Sequence, residues 1–215
     1  MPCFYPLHGY KSESGKWISY LSTNRFDLEP LTVSCGQCKG CRLEQSRQWA
    51  MRITHEQSLW LNNIFITLTY DDEHIPILGN STTLVKKDFQ DFMKRLRKPN
   101  KELKWVPPKL IRYYHCGEYG EQFGRPHYHA ILFNTNFSDR EVLNGHKGLT
   151  TSKTLTGLWG KGHTSIGDVT FQSASYVAGY VQKKINGKQK QEHYQVIDPE
   201  VEFPENQLKK RYKEI

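Results

Sequence analysis

The tripeptide His127-Tyr128-His129 is the first place in the chain where chemistry is legible. In a β-strand, side chains alternate between faces, so the two imidazoles point the same way and Tyr128 points into the opposite layer. The apolar run Ala130-Ile131-Leu132-Phe133 continues the strand behind them. Upstream, residues 109–119 read as a second strand, and the Gly-containing turn from Gly120 to Pro126 joins the two into an antiparallel hairpin. Pairing across that turn brings Glu118 beside the histidines. Two histidines and one carboxylate, with open coordination positions, suit Mn²⁺ or Mg²⁺ and leave room for a phosphate oxygen. Glu121, inside the turn, is a rival carboxylate. The bland alternative is a pair of histidines that merely fill a polar strand face.

A second set of reactive side chains follows in Ser175-Tyr176-Val177-Ala178-Gly179-Tyr180-Val181-Gln182-Lys183-Lys184. Its pattern is helical, so Tyr176 and Tyr180, four residues apart, share a face, and Lys183 lies one turn beyond. A phenol with an unperturbed pKa of about 10 is a poor nucleophile at neutral pH. A neighbouring cation and Lys183 would favour its ionised form or stabilise charge on a phosphate. A tyrosine that attacks a DNA phosphodiester forms a phosphotyrosine link, which conserves the bond for religation, and two phenols on one face can alternate. Two tyrosines that simply pack a helix face on the sheet are the alternative. Gly179 is costly in a helix and points to a close approach by a ligand or backbone.

Cysteine supplies a third pattern. Five cysteines, an odd count with no export signal ahead of them, argue against a disulfide framework. Cys35-x-x-Cys38-x-x-Cys41, with Cys3 as a fourth thiolate, has the donor set of a tetrahedral zinc site. Such a site would clamp the N-terminal segment onto the first helix. Iron–sulfur ligation and unliganded thiols are the alternatives. Cys116, alone on a strand, reads as a buried filler.

These side chains need elements to hold them. Residues 39–59 read as a helix with Leu43, Trp49, Ala50 and Ile53 as its apolar stripe. Ile64 to Tyr70 is rich in β-branched and aromatic residues and is the strongest strand in the chain. Residues 84–98 form an amphipathic helix on Phe89, Phe92, Met93 and Leu96, capped by Ser81, Thr82 or Thr83 and stopped by Pro99. A short helix is expected over 138–144 and an edge strand near His163 to Ile166. The tyrosine helix runs from Ser173, as its cap, to Ile185, before Asn186-Gly187. The order suggests an α+β, ferredoxin-like antiparallel sheet with helices on one face. The chain divides into a domain over 1–185, with a cysteine-bearing N-terminal extension, and a basic extension over 186–215.

Composition narrows the partner. The 215 residues carry 30 Lys and Arg against 22 Asp and Glu, a net charge of +8, with 13% aromatic residues. No stretch approaches the roughly 20 apolar residues of a membrane span, and no signal peptide is evident, so membrane and secreted classes are excluded. A basic, aromatic-rich chain of this kind points to nucleic acid. Lys94, Arg95, Arg97, Lys98, Lys101 and Lys104 crowd one region, and Lys183, Lys184, Lys188 and Lys190 another. With Arg125 beside the histidines, they are candidate contacts to a DNA backbone. Trp105, Tyr113, Tyr114 and Trp159 are candidate stacking platforms, and Tyr70 a candidate DNA contact.

Three segments together resemble a known family. Phe65-Ile66-Thr67-Leu68-Thr69, His127-Tyr128-His129-Ala130-Ile131-Leu132-Phe133 and Tyr176-Val-Ala-Gly-Tyr180-Val-Gln-Lys183 match, in order, the three motifs of HUH endonucleases that initiate rolling-circle replication. Cys35-Gly-Gln-Cys38-Lys-Gly-Cys41-Arg42 with Trp49-Ala50, and Cys116-Gly117-Glu118-Tyr119-Gly120 before Gly124-Arg125-Pro126-His127, are similar to the initiators of gokushovirus-type microviruses. The likeness covers roughly residues 35–185. It implies that His127 and His129 bind Mn²⁺ or Mg²⁺ with an upstream acidic residue, placed at Glu118, and that Tyr176 and Tyr180 are the nucleophiles. Some relatives carry a lysine directly before the second tyrosine. Gly179 stands there in this chain, so that role passes to Lys183 or is absent. The first motif reads as a core strand without evident chemistry. The implied partners are single-stranded origin DNA and host replication proteins, in the host bacterial cytoplasm. A transposase or relaxase of the same superfamily, or a zinc-stabilised module that binds nucleic acid without cutting it, are the competing readings.

Overall fold

The computed structural model describes residues 3–11, 17–19, 30–78, 81–103, 105–120, 124–145 and 148–183. In chain order the elements are β1 (Leu7–Lys11), β2 (Trp17–Ser19), β3 (Pro30–Val33), α1 (Lys39–Ser58), β4 (Asn63–Tyr70), β5 (Ile77–Leu78), β6 (Ser81–Thr82) and α2 (Lys86–Arg97). Then follow β7 (Arg112–Tyr119), β8 (Pro126–Phe133), β9 (Arg140–Val142), β10 (Thr150–Ser152), α3 (Lys153–Trp159), β11 (Gly162–Asp168) and α4 (Phe171–Lys183). Six strands form one antiparallel sheet in the order β7-β8-β4-β11-β10-β9. Within it β4-α2-β7-β8-α3-β11 has the β-α-β-β-α-β order of a ferredoxin-like core, as the α+β expectation required.

Strand alternation sorts the core into two layers. Ile64, Ile66, Leu68 and Tyr70 of β4 and Tyr128, Ala130 and Leu132 of β8 pack with α2 (Phe89, Phe92, Met93, Leu96) and α3 (Leu155, Leu158, Trp159). The intervening residues, among them Phe65, Ile131 and Phe133, face α1 (Ala50, Ile53) and α4 (Ala174, Val177) on the other side. Helices therefore cover both faces, not one. The two crossover helices share a face, and the helices that flank the core in sequence supply the second layer. Helix α1 buries Gly40, Cys41, Ala50 and Ile53, whereas Leu43 and Trp49, expected in its stripe, are exposed. Trp49 instead lies against the ring of Tyr114, at 5.3 Å, with Arg52 over it.

Several local expectations are corrected. Residues 140–142 form a strand paired with β10, not a helix. Strand β11 is interior, between β4 and β10, rather than at an edge. Helix α2 starts after Val85 with no side-chain cap, and Thr82 Oγ1 donates instead to the Gly124 carbonyl at 3.2 Å. Ser173 is not the cap of α4: the helix begins at Phe171, and Thr170 and Ser173 satisfy each other's amides reciprocally, at 3.1 and 2.9 Å. That exchange is a capping box moved three residues upstream. Gly162 opens β11 with φ +131, where a Cβ would clash with the Asp71 amide and lie 2.6 Å from the Thr69 carbonyl oxygen. The strand pair can therefore close only on glycine. Expectations for residues 186–215 and for Asn186-Gly187 lie outside the described residues.

Candidate metal centre beneath two phenols

Register on the sheet assembles the site. Strand β7 pairs with β8 so that Glu118 stands opposite His127 and Cys116 opposite His129. Strand β4, on the other side of β8, sets Thr67 opposite His129 and Thr69 opposite His127. Directly opposed residues share a face, and for all of these it is the face covered by α1 and α4. The hairpin thus brings Glu118, His127 and His129 together as the sequence suggested. One ligand atom from each lies within 4.8 Å of the other two. His129 Nε2 is 3.0 Å and His127 Nε2 3.5 Å from Glu118 Oε2. The rival, Glu121, lies outside the described residues.

The other ring nitrogens fix the imidazoles. His129 Nδ1 bonds Thr67 Oγ1 at 3.0 Å, and His127 Nδ1 bonds the Arg125 carbonyl at 3.0 Å. Phe65 stacks on the His129 ring, 15° from parallel. Such outer partners hold ligating histidines in register. Thr67, Phe65 and the Arg125 carbonyl are the parts that sequence reasoning missed. The strand read as lacking chemistry carries Thr67, and its alternation, paired to that of β8, was the signal available.

Both remaining nitrogens aim at the carboxylate. Although His129 Nε2 is 3.0 Å from Glu118, it is buried and makes no aligned hydrogen bond among the described residues. Burial, and then the neighbouring His127, push the His129 pKa down to about 3, so its imidazole is neutral with a lone pair on offer. A carboxylate and two Nε2 atoms that converge without bonding one another fit a shared divalent cation.

Helix α4 roofs this pocket. The Tyr176 hydroxyl donates to Glu118 Oε2 at a long 3.4 Å. The Tyr176 and Tyr180 rings are 4.7 Å apart and lie 5.2 and 6.2 Å from the His129 ring. Tyr176 is 45% exposed. Burial, above the other causes, raises both phenol pKa values, and the Glu118 carboxylate adds to the shift at each. Both phenols are therefore held in their protonated form, by burial first and by the carboxylate in addition. Gly179 faces α1, where a Cβ would meet Ser46 Oγ at 3.8 Å, an ordinary contact. No close approach at that position demands glycine.

The other candidates are dispersed. Lys94 and Arg97 sit on α2, on the opposite layer. Lys94 pairs with Asp91 at 3.1 Å, and Arg97 donates to the Ile111 carbonyl at 2.8 Å beneath Tyr113. Arg125 lies at the pocket's lip, its guanidinium bound to the Tyr70 carbonyl and to Asp72. The Lys183 side chain and Lys184 lie outside the described residues. Tyr70 is fully buried, with its hydroxyl on Asp88 at 2.8 Å, and Trp159 is fully buried with its Nε1 on the Thr69 carbonyl. Neither can touch DNA, because strand parity turns Tyr70 into the α2 layer and α3 tucks Trp159 beneath the sheet.

Fold and pocket define an α+β protein with a carboxylate–dihistidine candidate metal centre under two helix-borne phenols. The chain belongs to the family of replication-associated proteins ORF2/G2P, whose family model matches residues 63–185. It is similar to replication-associated protein VP4 of Bdellovibrio phage phiMH2K, 36% identical over 90% of this chain and 61% of the relative. It is also similar to replication-associated protein ORF2 of Spiroplasma virus 4, 34% identical over 87% of this chain and 62% of the relative. Replication-associated protein ORF4 of Chlamydia phage 1 is 32% identical over 80% and 45%. The chain thus spans about three-fifths of the length of the first two relatives. No solved structure matches it. The family and these phage relatives bear out the resemblance to microvirus replication initiators. Among the described residues, no helix is long and apolar enough to cross a membrane.

Proposed function

We propose that this chain is a divalent-metal-dependent endonuclease and strand ligase for single-stranded DNA. It would initiate rolling-circle replication of a small circular phage genome, in the cytoplasm of the infected bacterium and alongside host replication proteins. The observation that carries this reading is the convergence of Glu118, His127 and His129 within 4.8 Å, with the Tyr176 hydroxyl 3.4 Å from the same carboxylate. Glu118, His127 and His129 would hold Mn²⁺ or Mg²⁺, which when bound supplies charge to polarise a scissile phosphate. The chain's own groups do the rest. The Tyr176 proton points at Glu118 Oε2, so the oxygen's lone pairs face away from the carboxylate, toward an arriving phosphate. As that oxygen attacks phosphorus, its proton passes to Glu118 Oε2. The tyrosyl–phosphate bond forms, the bond to the 3′ oxygen breaks, and the departing oxygen takes up a proton from solvent to become a 3′-OH able to prime synthesis. The reverse reaction religates, and Tyr180, on the same face, can hold one end while Tyr176 handles the other. Thr67 Oγ1 and the Arg125 carbonyl hold the two imidazoles so that each Nε2 is aimed inward.

The test is a suicide oligonucleotide bearing the origin strand. A covalent adduct is expected only with Mn²⁺ or Mg²⁺ present. If the double substitution Tyr176→Phe with Tyr180→Phe retains the adduct, the nucleophile assignment fails. An adduct that forms in strong chelator removes the metal's role.

A further inference from the structure

A second convergence of metal-ligating atoms lies outside the pocket, where β3 meets α1. The Cys3, Cys35, Cys38 and Cys41 sulfurs all lie within 4.8 Å of one another. Cys3 to Cys35 is 3.5 Å, and Cys3 to Cys38 and Cys35 to Cys41 are each 3.9 Å. Four thiolates at about 2.3 Å from one zinc ion would stand about 3.8 Å apart along each edge of the tetrahedron. Backbone amides point at the sulfurs as they would at charged thiolates. The Cys35 amide donates to Cys3 Sγ at 3.3 Å, and the Cys38 amide to Cys35 Sγ at 3.4 Å. The Phe4 and Cys41 amides both donate to Cys38 Sγ, each at 3.4 Å. Cys38 is also the N-cap of α1, a 20-residue helix, so the cluster sits where the helix dipole favours negative charge. Gly36, at φ +75, gives the turn that lets Cys35 and Cys38 face one centre.

The surrounding chain has little else to hold it. Strand β1 pairs with β2 and β3, yet Phe4, Tyr5, Leu7 and Leu31 are exposed. Among the described residues, neither apolar cluster includes any residue before Ala50. A small sheet that contributes no described residue to either apolar cluster is a candidate for another tether, and metal ligation is one that small modules use.

We infer that Cys3, Cys35, Cys38 and Cys41 form a structural zinc site that staples the N-terminal three-stranded sheet to the start of α1. The staple has a reach beyond that sheet. Helices α1 and α4 pack antiparallel: Gln57 donates to the Val169 carbonyl at 2.9 Å and Ser46 to the Ser175 carbonyl at 3.4 Å. The cysteine end of α1 therefore braces the end of α4 that carries Tyr180. This site is independent of the nicking chemistry and stands whether or not that reading does.

The test is metal analysis of the purified full chain after dialysis. One tightly bound zinc per chain is expected. The zinc should be lost in Cys38→Ser with Cys41→Ser, and retained both in Cys116→Ser and in His127→Ala with His129→Ala. Titration of unaltered protein with an organomercurial should release that zinc in step with four thiols, a readout that does not depend on a variant's folding. Cobalt in place of zinc should give the strong visible bands of a tetrahedral thiolate site. Absence of zinc, zinc that leaves with the histidines instead of the cysteines, or iron with inorganic sulfide in its place would each overturn the inference.

Discussion

Replacing Thr67 with valine keeps the shape of the side chain and removes only its hydroxyl. In the folded protein that hydroxyl meets His129 Nδ1 at 3.0 Å, and His129 is 6% exposed. A buried imidazole nitrogen deprived of its partner costs about 1–3 kcal/mol. If that cost falls on the ligand geometry, conversion at about 1.4 kcal/mol per tenfold gives roughly 5- to 150-fold weaker binding. Residues that orient metal-bound histidines show a similar span, about 10–100-fold. Mn²⁺ affinity of Thr67→Val should fall within that span, read by calorimetry or by the electron paramagnetic resonance signal of free Mn²⁺. Thr69→Val is the matched control. It stands opposite His127, whose Nδ1 is held by a backbone carbonyl that no side-chain substitution removes. The reasoning is refuted if Thr67→Val folds normally and binds Mn²⁺ within about twofold of the unaltered chain. Equal losses at both threonines would refute it too.

Gly162→Ala should lower stability by at least about 1–3 kcal/mol, because the backbone there has φ +131 and a Cβ would overlap the turn at Asp71. An unchanged midpoint in chemical denaturation would contradict this. Asp139 accepts from the Ser152 hydroxyl at 2.6 Å and the Thr154 amide at 2.8 Å, and although burial works against the charge, these bonds hold its carboxyl below the ordinary range. Its folded pKa is depressed, so its contribution is fully present above the unfolded value of 3.8 and is lost as pH falls through the folded one. Asp139→Asn should flatten the acid limb of the stability curve, and a limb as steep as before would count against the assignment. With a net charge of +8, binding of single-stranded DNA should weaken linearly in log affinity against log salt, by fluorescence anisotropy. A flat dependence would remove the backbone-contact reading.

The hairpin and the tyrosine helix were legible because each rests on a short-range rule. Alternation alone puts His127 and His129 on one face, and a spacing of four alone puts Tyr176 beside Tyr180 on a helix. What alternation in one strand could not reveal was which face holds Tyr70 or Thr67, since that depends on pairing with β8, sixty residues away. Hence, from the strand alone, Tyr70 reads as available to DNA and Thr67 as inert, and the structure reverses both. The β9-β10-α3 segment escaped detection for a different reason. Its three-residue strands are too short for any periodicity, and they exist only because β11 offers an edge to pair with. Trp159 read as a surface platform because an aromatic residue among Gly, Thr and Lys looks exposed until α3 packs it under β4. Leu43 and Trp49 matched a helical stripe, but α1 is gripped at its ends and by α4, so the buried side is set by Gly40, Cys41, Ala50 and Ile53.

The strict partition of β4 between two layers makes its length as constrained as its residues. One amino acid inserted between Ile64 and Thr67 would exchange the two sides of everything on the inserted flank. With the downstream flank displaced, Thr67 would swing away from His129 toward Phe89 and Phe92 and, at the same time, the aliphatic chain of Leu68 would be thrust toward the imidazoles. Insertion scanning should therefore find this strand intolerant along its whole extent, whatever residue is added. A two-residue insertion, which restores parity, should be the less damaging lesion.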